Sequence, residues 1–309
     1  MRRLALFISV LFGIAIIGQT SFAQTAGTLR PRALAPLTNP DDPSTPAKQL
    51  FGRARSAAPM SPQAVGFYSK GCLAGGKSIA MDGDSWQVMR PSRNRNWGHP
   101  ALVKIVKRIA KRGQQEGHWQ GLLIGDMSQP RGGPMLTGHA SHQIGLDADI
   151  WFTPMPDHKQ SIREREFKSA TNMVRQDKRD VDMKVWTAGH MNIVRIAAQQ
   201  PEVQRILVNA AIKKALCRYR GNDRAWLSKV RPYWGHNYHF HVRIFCPKGS
   251  PGCRRQAPVA QGDGCGKALD WWFTERVLNP PPRTKPVRKR PPMTMAAMPA
   301  QCRTILHAR

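Results

Sequence analysis

Within residues 238–245, YHFHVRIF, apolar and polar side chains alternate as far as Ile244. On a β-strand, residues two apart share a face, so His239 and His241 project together while Tyr238, Phe240 and Val242 point the other way. The segment is therefore an apolar-backed strand that presents two imidazoles to one pocket, with His236 just ahead of it. A second cluster, GHASHQIGLDADI, places His139, His142, Asp147 and Asp149 within eleven residues, after a glycine-rich approach through Gly132, Gly133 and Gly138. The chain holds only ten histidines, and Asp and Glu together number 19 in 309 residues, so both clusters stand out from the background.

Imidazole and carboxylate in this proportion suit zinc. A catalytic zinc commonly takes three protein ligands from His and Asp or Glu and leaves the fourth position to water. Two neutral imidazoles and one carboxylate leave a net site charge of about +1, which keeps bound water acidic. A lone HxH is usually a surface or packed pair; two clusters in one chain shift the reading toward a metal. Spacing leaves the choice of aspartate open, because Asp147 and Asp149 share a face of any strand they occupy. The bland role for Asp147 is to orient a ligand histidine or to cap the preceding turn. A DxD pair also suits magnesium, but the neighbouring imidazoles favour zinc.

Around these clusters the pattern is mixed. Pro100 opens a helix in which Leu102, Ile105, Val106 and Ile109 form an apolar stripe, with Lys104, Lys107, Arg108 and Lys111 outside it. Residues 121–127 and 147–152 read as strands, 161–176 and 191–199 as helices, and 238–245 as a last strand. Without a βαβ rhythm or a phosphate loop, the expected class is α+β, with a small antiparallel sheet carrying the site among helices and long loops.

The ends differ from the middle. Met1-Arg2-Arg3, the apolar run from Leu4 to Ile17 and Ser21-Phe22-Ala23 read as a cleaved secretory signal over 1–23. The apolar run is shorter than the about 20 residues of a membrane span, so no transmembrane anchor is expected after cleavage. Residues 24–59 read as an extended Pro- and Thr-rich arm, 60–275 as the catalytic domain, and 276–309 as a basic, proline-rich tail that Cys302 staples back. Six cysteines in an exported chain imply three disulfides, with roughly fifteen pairings open. A net charge of +29 predicts attraction to polyanions. For an exported bacterial protein these are wall carboxylates and anionic lipid headgroups rather than nucleic acid.

GHASHQIGLDADI followed by HNYHFHVRIFCP resembles the signature of the penicillin-insensitive murein endopeptidases. That family groups with lysostaphin-type peptidases, zinc D-alanyl-D-alanine peptidases and the hedgehog amino-terminal domain. The likeness continues through GCLAGGKSIAMDGDSWQVMRPSRNRNWGHP, LIGDM, RILVNAAIKKALC, WLSKVRP and GDGCG, from about Gly66 to Phe273. It implies a small antiparallel sheet surrounded by helices, and His142, Asp149 and His241 as ligands of Zn2+. It also implies His239 as the base or transition-state stabiliser, His236 as a further active-site histidine, and His139 as an additional metal contact. The cysteine positions imply the pairs Cys72–Cys302, Cys217–Cys265 and Cys246–Cys253. The family's extra metal is associated with an Asp and a His separated by two residues, upstream of the tryptophan matching Trp186. Here Asp177 fits, but Asp180 stands where the histidine would, and Asp177, Asp180 and Asp182 read equally as exposed charges beside Lys178 and Arg179.

The activity implied is hydrolysis of peptidoglycan cross-links in the periplasm, at the D-alanyl-meso-diaminopimelyl bond and at links between two diaminopimelates. A zinc D,D-carboxypeptidase would use the same ligands and add an arginine for the free carboxylate, for which Arg131 and Arg243 are candidates. A non-catalytic, zinc-bearing wall-binding protein would dispense with His239. Trp151, Trp186, Trp234, Trp271 and Trp272 fit core packing at least as well as a cleft lining. No SxxK pattern with suitable partners supports a serine mechanism, so the reading includes insensitivity to penicillin.

Overall fold

The computed structural model describes residues 34–117, 119–282 and 291–309; the expected signal at 1–23 lies outside them. Its centre is a pair of antiparallel strands, β8 (Asp147–Pro154) and β11 (His239–Ile244). Their register sets His239 opposite Trp151, His241 opposite Asp149 and Arg243 opposite Asp147. Ala148, Ile150 and Phe152 of β8 and Phe240, Val242 and Ile244 of β11 fill the core on one face. The polar members of both strands share the other face, as the period of two requires.

These strands lie within a seven-stranded sheet of order β10-β9-β11-β8-β7-β5-β4. The remaining members are β4 (Asp82–Gly83), β5 (Trp86–Val88), β7 (Leu122–Ile124), β9 (Val203–Val208) and β10 (Val230–Pro232). Antiparallel pairing runs from β9 through β11 and β8 to β7, which is the part bearing the histidines; β10 on β9 and β5 on β7 are parallel. Two small antiparallel ladders flank the sheet: β1 (Gln63–Phe67) with β2 (Lys70–Ala74), and β3 (Lys77–Ser78) with β6 (Trp97–Gly98).

Numbering the helices in chain order, α1 spans Ala47–Phe51, α2 Pro100–Glu116, α3 Ile162–Phe167 and α4 Ala188–Ala198. They are followed by α5 (Ala210–Cys217), α6 (Lys267–Asp270), α7 (Glu275–Leu278) and α8 (Gln301–His307). Leu102, Ile105, Val106 and Ile109 of α2 and Ile193, Val194 and Ala197 of α4 join the sheet's apolar face in one core. Pro100 occupies the first turn of α2, where its missing N–H costs nothing, and the His99 ring accepts from the Ala101 amide.

The helix expected over 161–176 stops at Phe167. A Ser161–Glu164 capping box starts it, and the buried Arg90 guanidinium ends it by donating to the carbonyls of Arg165 and Lys168, at 2.8 and 2.7 Å. Beyond that point Thr171 bonds to Thr153 on β8 instead of continuing the helix. The strand expected over 121–127 is only three residues long, and the helix expected from Met191 begins at Ala188.

Disulfides join Cys72 to Cys302, Cys217 to Cys265 and Cys246 to Cys253. The first ties α8 to β2 within a satellite core of Ala47, Phe51, Val65, Met298 and Ile305. Within the segment read as an extended arm, α1 thus docks both Ala47 and Phe51 at zero exposure. Gly133 has φ +76°, and a Cβ there would meet the Phe51 ring at 2.1 Å. The glycine-rich approach to His139 therefore doubles as the seat for α1. Among the described residues no helix is long and apolar enough to cross a membrane.

Candidate metal centre

Asp149 lies at the middle of the polar face and is buried with the imidazoles of four histidines around it. His142 Nε2 is 3.5 Å from its Oδ1 and His241 Nδ1 is 3.0 Å from the same oxygen. His139 Nδ1 is 3.4 Å and His239 Nε2 3.5 Å from Oδ2. Donor atoms held about 2.0–2.2 Å from a tetrahedral zinc stand roughly 3.3 Å apart, so these spacings match a ligand shell. His139, His142 and Asp149 each offer a ligand atom within 4.8 Å of the other two, and His241 adjoins them through Asp149.

Hydrogen bonding tests the fit independently. Both ring nitrogens of His142, Asp149 Oδ1, His239 Nε2 and His241 Nε2 are buried and make no well-aligned hydrogen bond among the described residues, although His241 lies 3.0 Å from both Asp147 and Asp149. Polar atoms left this way are costly unless something else satisfies them, and a cation at the convergence of nitrogen and oxygen lone pairs does so. Imidazole with one carboxylate is a donor set suited to zinc.

Backbone strain places His142. It has φ +67°, in the left-handed region that a non-glycine residue adopts at some cost. Its amide donates to Asp147 Oδ2 at 3.0 Å, and its carbonyl accepts from Ser128 Oγ at 2.7 Å, so the strained turn is pinned from both sides. Asp147 also receives two guanidinium bonds from Arg243, at 2.7 and 3.1 Å, and lies 3.0 Å from His241 Nε2. It thus both caps the turn and orients a histidine, whose other nitrogen faces Asp149.

The charges follow from these neighbours. Burial acts against the Asp147 carboxylate, but Arg243 and His241 outweigh it and hold the group ionised far below the usual range. Burial also acts against protonated His241, yet Asp147 and Asp149 pull its pKa up to about 9, so the two carboxylates favour positive charge here and a metal cation would take the place of the proton. Desolvation dominates at His142, whose pKa falls, and at His239 and His236, lowered to about 4 and about 3. Near neutral pH these three rings are uncharged, and an uncharged ring has a lone pair for a metal or a proton.

A family model for penicillin-insensitive murein endopeptidases matches residues 64–307. The chain belongs to that family. Relatives so named include one from Haemophilus influenzae, 42% identical over 244 residues, which cover 79% of this chain and 82% of the relative. One from Klebsiella pneumoniae is 40% identical over 249 residues, covering 80% and 86% of the two chains. A third, from Salmonella paratyphi B, is 40% identical over 248 residues, covering 80% and 87%. The family match takes in α8 and Cys302 as well as both histidine clusters.

Not every candidate reaches the centre. Asp177 is held by Arg175 and Arg179 on an exposed turn, and the Arg175 contact draws its pKa down to about 2. Asp180 is paired with Arg218 at 2.9 Å. Neither carboxylate joins the histidines, and the charged-turn reading describes both. His236 lines the cleft, φ +55°, with its ring 4.8 Å from that of His239 and its Nδ1 2.8 Å from the Trp234 carbonyl. Trp151 and Trp186 are core residues, whereas Trp234 and Trp271 are more than half exposed.

Asp126 escaped the sequence reading. It is buried just beyond β7, 3.1 Å from His139 Nε2, and paired with Arg93 and Arg95 at 3.1 and 2.8 Å. It fixes the His139 ring so that Nδ1 faces Asp149. The available signal was a lone carboxylate ending the apolar run of LIGDM.

Proposed function

We propose that this chain is a zinc-dependent endopeptidase of the periplasm that hydrolyses peptide cross-links in peptidoglycan, with His142, Asp149 and His241 as metal ligands. The observation that carries the reading is the convergence of buried His142 Nε2 and His241 Nδ1 on one oxygen of Asp149, with His239 alongside. The names of the relatives support murein as substrate. The motif resemblance supports the D-alanyl-meso-diaminopimelyl bond, with diaminopimelyl-diaminopimelate links as the second target. His139, turned by Asp126, is a further metal contact. Asp177, bound to arginine, is left out of the metal set.

Zinc at such a centre polarises a carbonyl and lowers the pKa of water. The chain's own residues supply the rest. Asp147 holds His241 with Nδ1 toward the centre, and the buried Arg243 keeps Asp147 ionised. His239, uncharged and buried beside Asp149, takes the proton released as water attacks the scissile carbonyl and returns it to the departing amine. His236 donates from Nδ1 to the Trp234 carbonyl, which leaves Nε2 as an acceptor at the cleft.

Two observations favour this over the alternatives. A carboxypeptidase needs an arginine free to take the carboxylate of the residue next to the scissile bond, yet of the two candidates Arg131 is spent on the carbonyls of Ser56, Ile305 and Leu306, and Arg243 on Asp147 and Gln256. A non-catalytic binder would have no use for His239.

Purified cross-linked peptidoglycan, digested with and without chelator and alongside His241→Ala, tests the reading by mass spectrometry. Expected is conversion of cross-linked dimers to monomers, lost with chelator or substitution and restored in the wild type by zinc. Release of terminal D-alanine alone would replace it with the carboxypeptidase, and zinc binding without cleavage would leave a wall-binding protein. Acylation by labelled penicillin would contradict the metal mechanism.

A further inference from the structure

A cleft of about 530 Å³ opens beside the centre, and its lining includes His236, His241, Arg205, Arg231 and Arg243. The sheet register explains why three arginines meet there. His241 on β11 pairs with Leu207 on β9, which pairs with Arg231 on β10, so His241, Leu207 and Arg231 form one row across the same face. Arg243 pairs with Arg205 in the next row.

The three guanidiniums are not alike. Arg243 is neutralised by Asp147. Arg205 gives one donor to the Ala257 carbonyl at 2.6 Å, and its Nε is buried without an acceptor among the described residues. Arg231 makes no hydrogen bond or ion pair among the described residues, and its Nη1 is buried. Gly264, with φ +69°, makes room for it: a Cβ there would lie 2.9 Å from Arg231 Nη1. That loop is tied to α5 by Cys217–Cys265. Burial first, then the like charges of Arg243 and Arg231, lowers the Arg205 pKa below the ordinary guanidinium value. Two guanidiniums with no carboxylate in direct contact among the described residues and with unmade hydrogen bonds repel each other and are satisfied by an anion, for which a planar carboxylate is the bidentate match.

We propose that Arg205 and Arg231 form a carboxylate subsite that grips the substrate peptide two to three residues away from the bond at the metal centre. The inference rests on the peptidase reading and names what its cleft recognises. Strands lie about 4.8 Å apart, so two strand steps put Arg231 roughly 10 Å from His241, and an extended peptide covers about 3.3 Å per residue. A carboxylate on the residue next to the scissile bond would fall short of that span. The subsite therefore favours a longer acidic peptide, as an endopeptidase requires.

The test uses the full mature chain and one cross-linked stem-peptide dimer in two forms, differing only in whether that distal group is a carboxylate or a carboxamide. Binding is measured calorimetrically under chelator, so that nothing turns over, and kcat and KM are measured with zinc. Wild type is expected to bind the acid about tenfold or more tightly than the amide, the effect of one charge-assisted pair. Arg231→Gln and Arg205→Gln should erase that preference through KM, with kcat within about threefold of wild type, and Arg231→Lys should retain part of it. Equal binding of both forms by wild type would overturn the proposal without need of any variant, as would an undiminished preference in a folded Arg231→Gln. Acid preference without cleavage would defeat the peptidase reading and leave the subsite standing; cleavage without preference would do the reverse.

Discussion

His190 illustrates how a single buried ring couples to pH away from the candidate centre. It is 4% exposed, its Nδ1 accepts from the Thr187 amide at 3.0 Å, and its Nε2 donates to the Phe152 carbonyl at 3.0 Å. Burial lowers its pKa to about 4 from an ordinary 6.5. Between those values the unfolded chain binds a proton that the folded chain refuses, so stability rises with pH across that window and is lost as pH falls from 6.5 toward 4. The linkage amounts to roughly 3 kcal/mol for a shift of this size. Urea unfolding at pH 7 and pH 4.5 should show a smaller pH-dependent loss in His190→Gln than in wild type, and equal losses would show that the ring is not the titrating group. Its place as a core residue at the start of α4 was not legible in the sequence, where AGHMNIV carries no sign that the ring faces Phe152.

The β8–β11 pair makes the centre, and Asp147 is the residue through which the two strands act together. It joins the His142 turn, Arg243 and the His241 ring from one buried carboxylate. Asp147→Asn keeps an oxygen for the His142 amide but loses the charge opposite Arg243. Metal affinity should fall about 10- to 100-fold, as for other groups that orient ligands, and stability should fall by about 3–5 kcal/mol as for a broken buried ion pair. Competition against a chromophoric chelator measures the first and denaturant unfolding the second; unchanged affinity would remove Asp147 from its orienting role. Alternation alone made this strand pair readable, because period two separates Phe240 and Val242 from His239 and His241 whatever the partner strand. The end of α3 was not readable in the same way. The run after Phe167 could continue as a helix, and only Arg90, some 75 residues away in sequence, captures the carbonyls that stop it.

Across the whole molecule, the two ends of the described chain meet in a satellite core fastened by Cys72–Cys302, a bond that closes a sequence separation of 230 residues. Long loops give the largest constraint on the unfolded chain, so Cys72→Ser with Cys302→Ser should cost on the order of 3–5 kcal/mol. Limited proteolysis should then release the segment bearing α8, while zinc added to the candidate centre is expected to stay bound because that centre lies in the main sheet. Loss of zinc together with the tail would show instead that the satellite core supports the centre. The amino-acid sequence by itself determined the donor types, the faces of the strands and helix α2, and membership of the family, since each depends on residue identity at short or fixed spacing. Only the tertiary structure decided which nitrogens converge on which oxygen of Asp149, that Asp126 and Asp147 hold His139 and His241, and that Asp177 is spent on arginine. It alone aligned Arg231 with His241, and brought α1 to α8. Those outcomes depend on strand register, backbone strain and contacts between residues far apart in sequence, which local spacing does not encode.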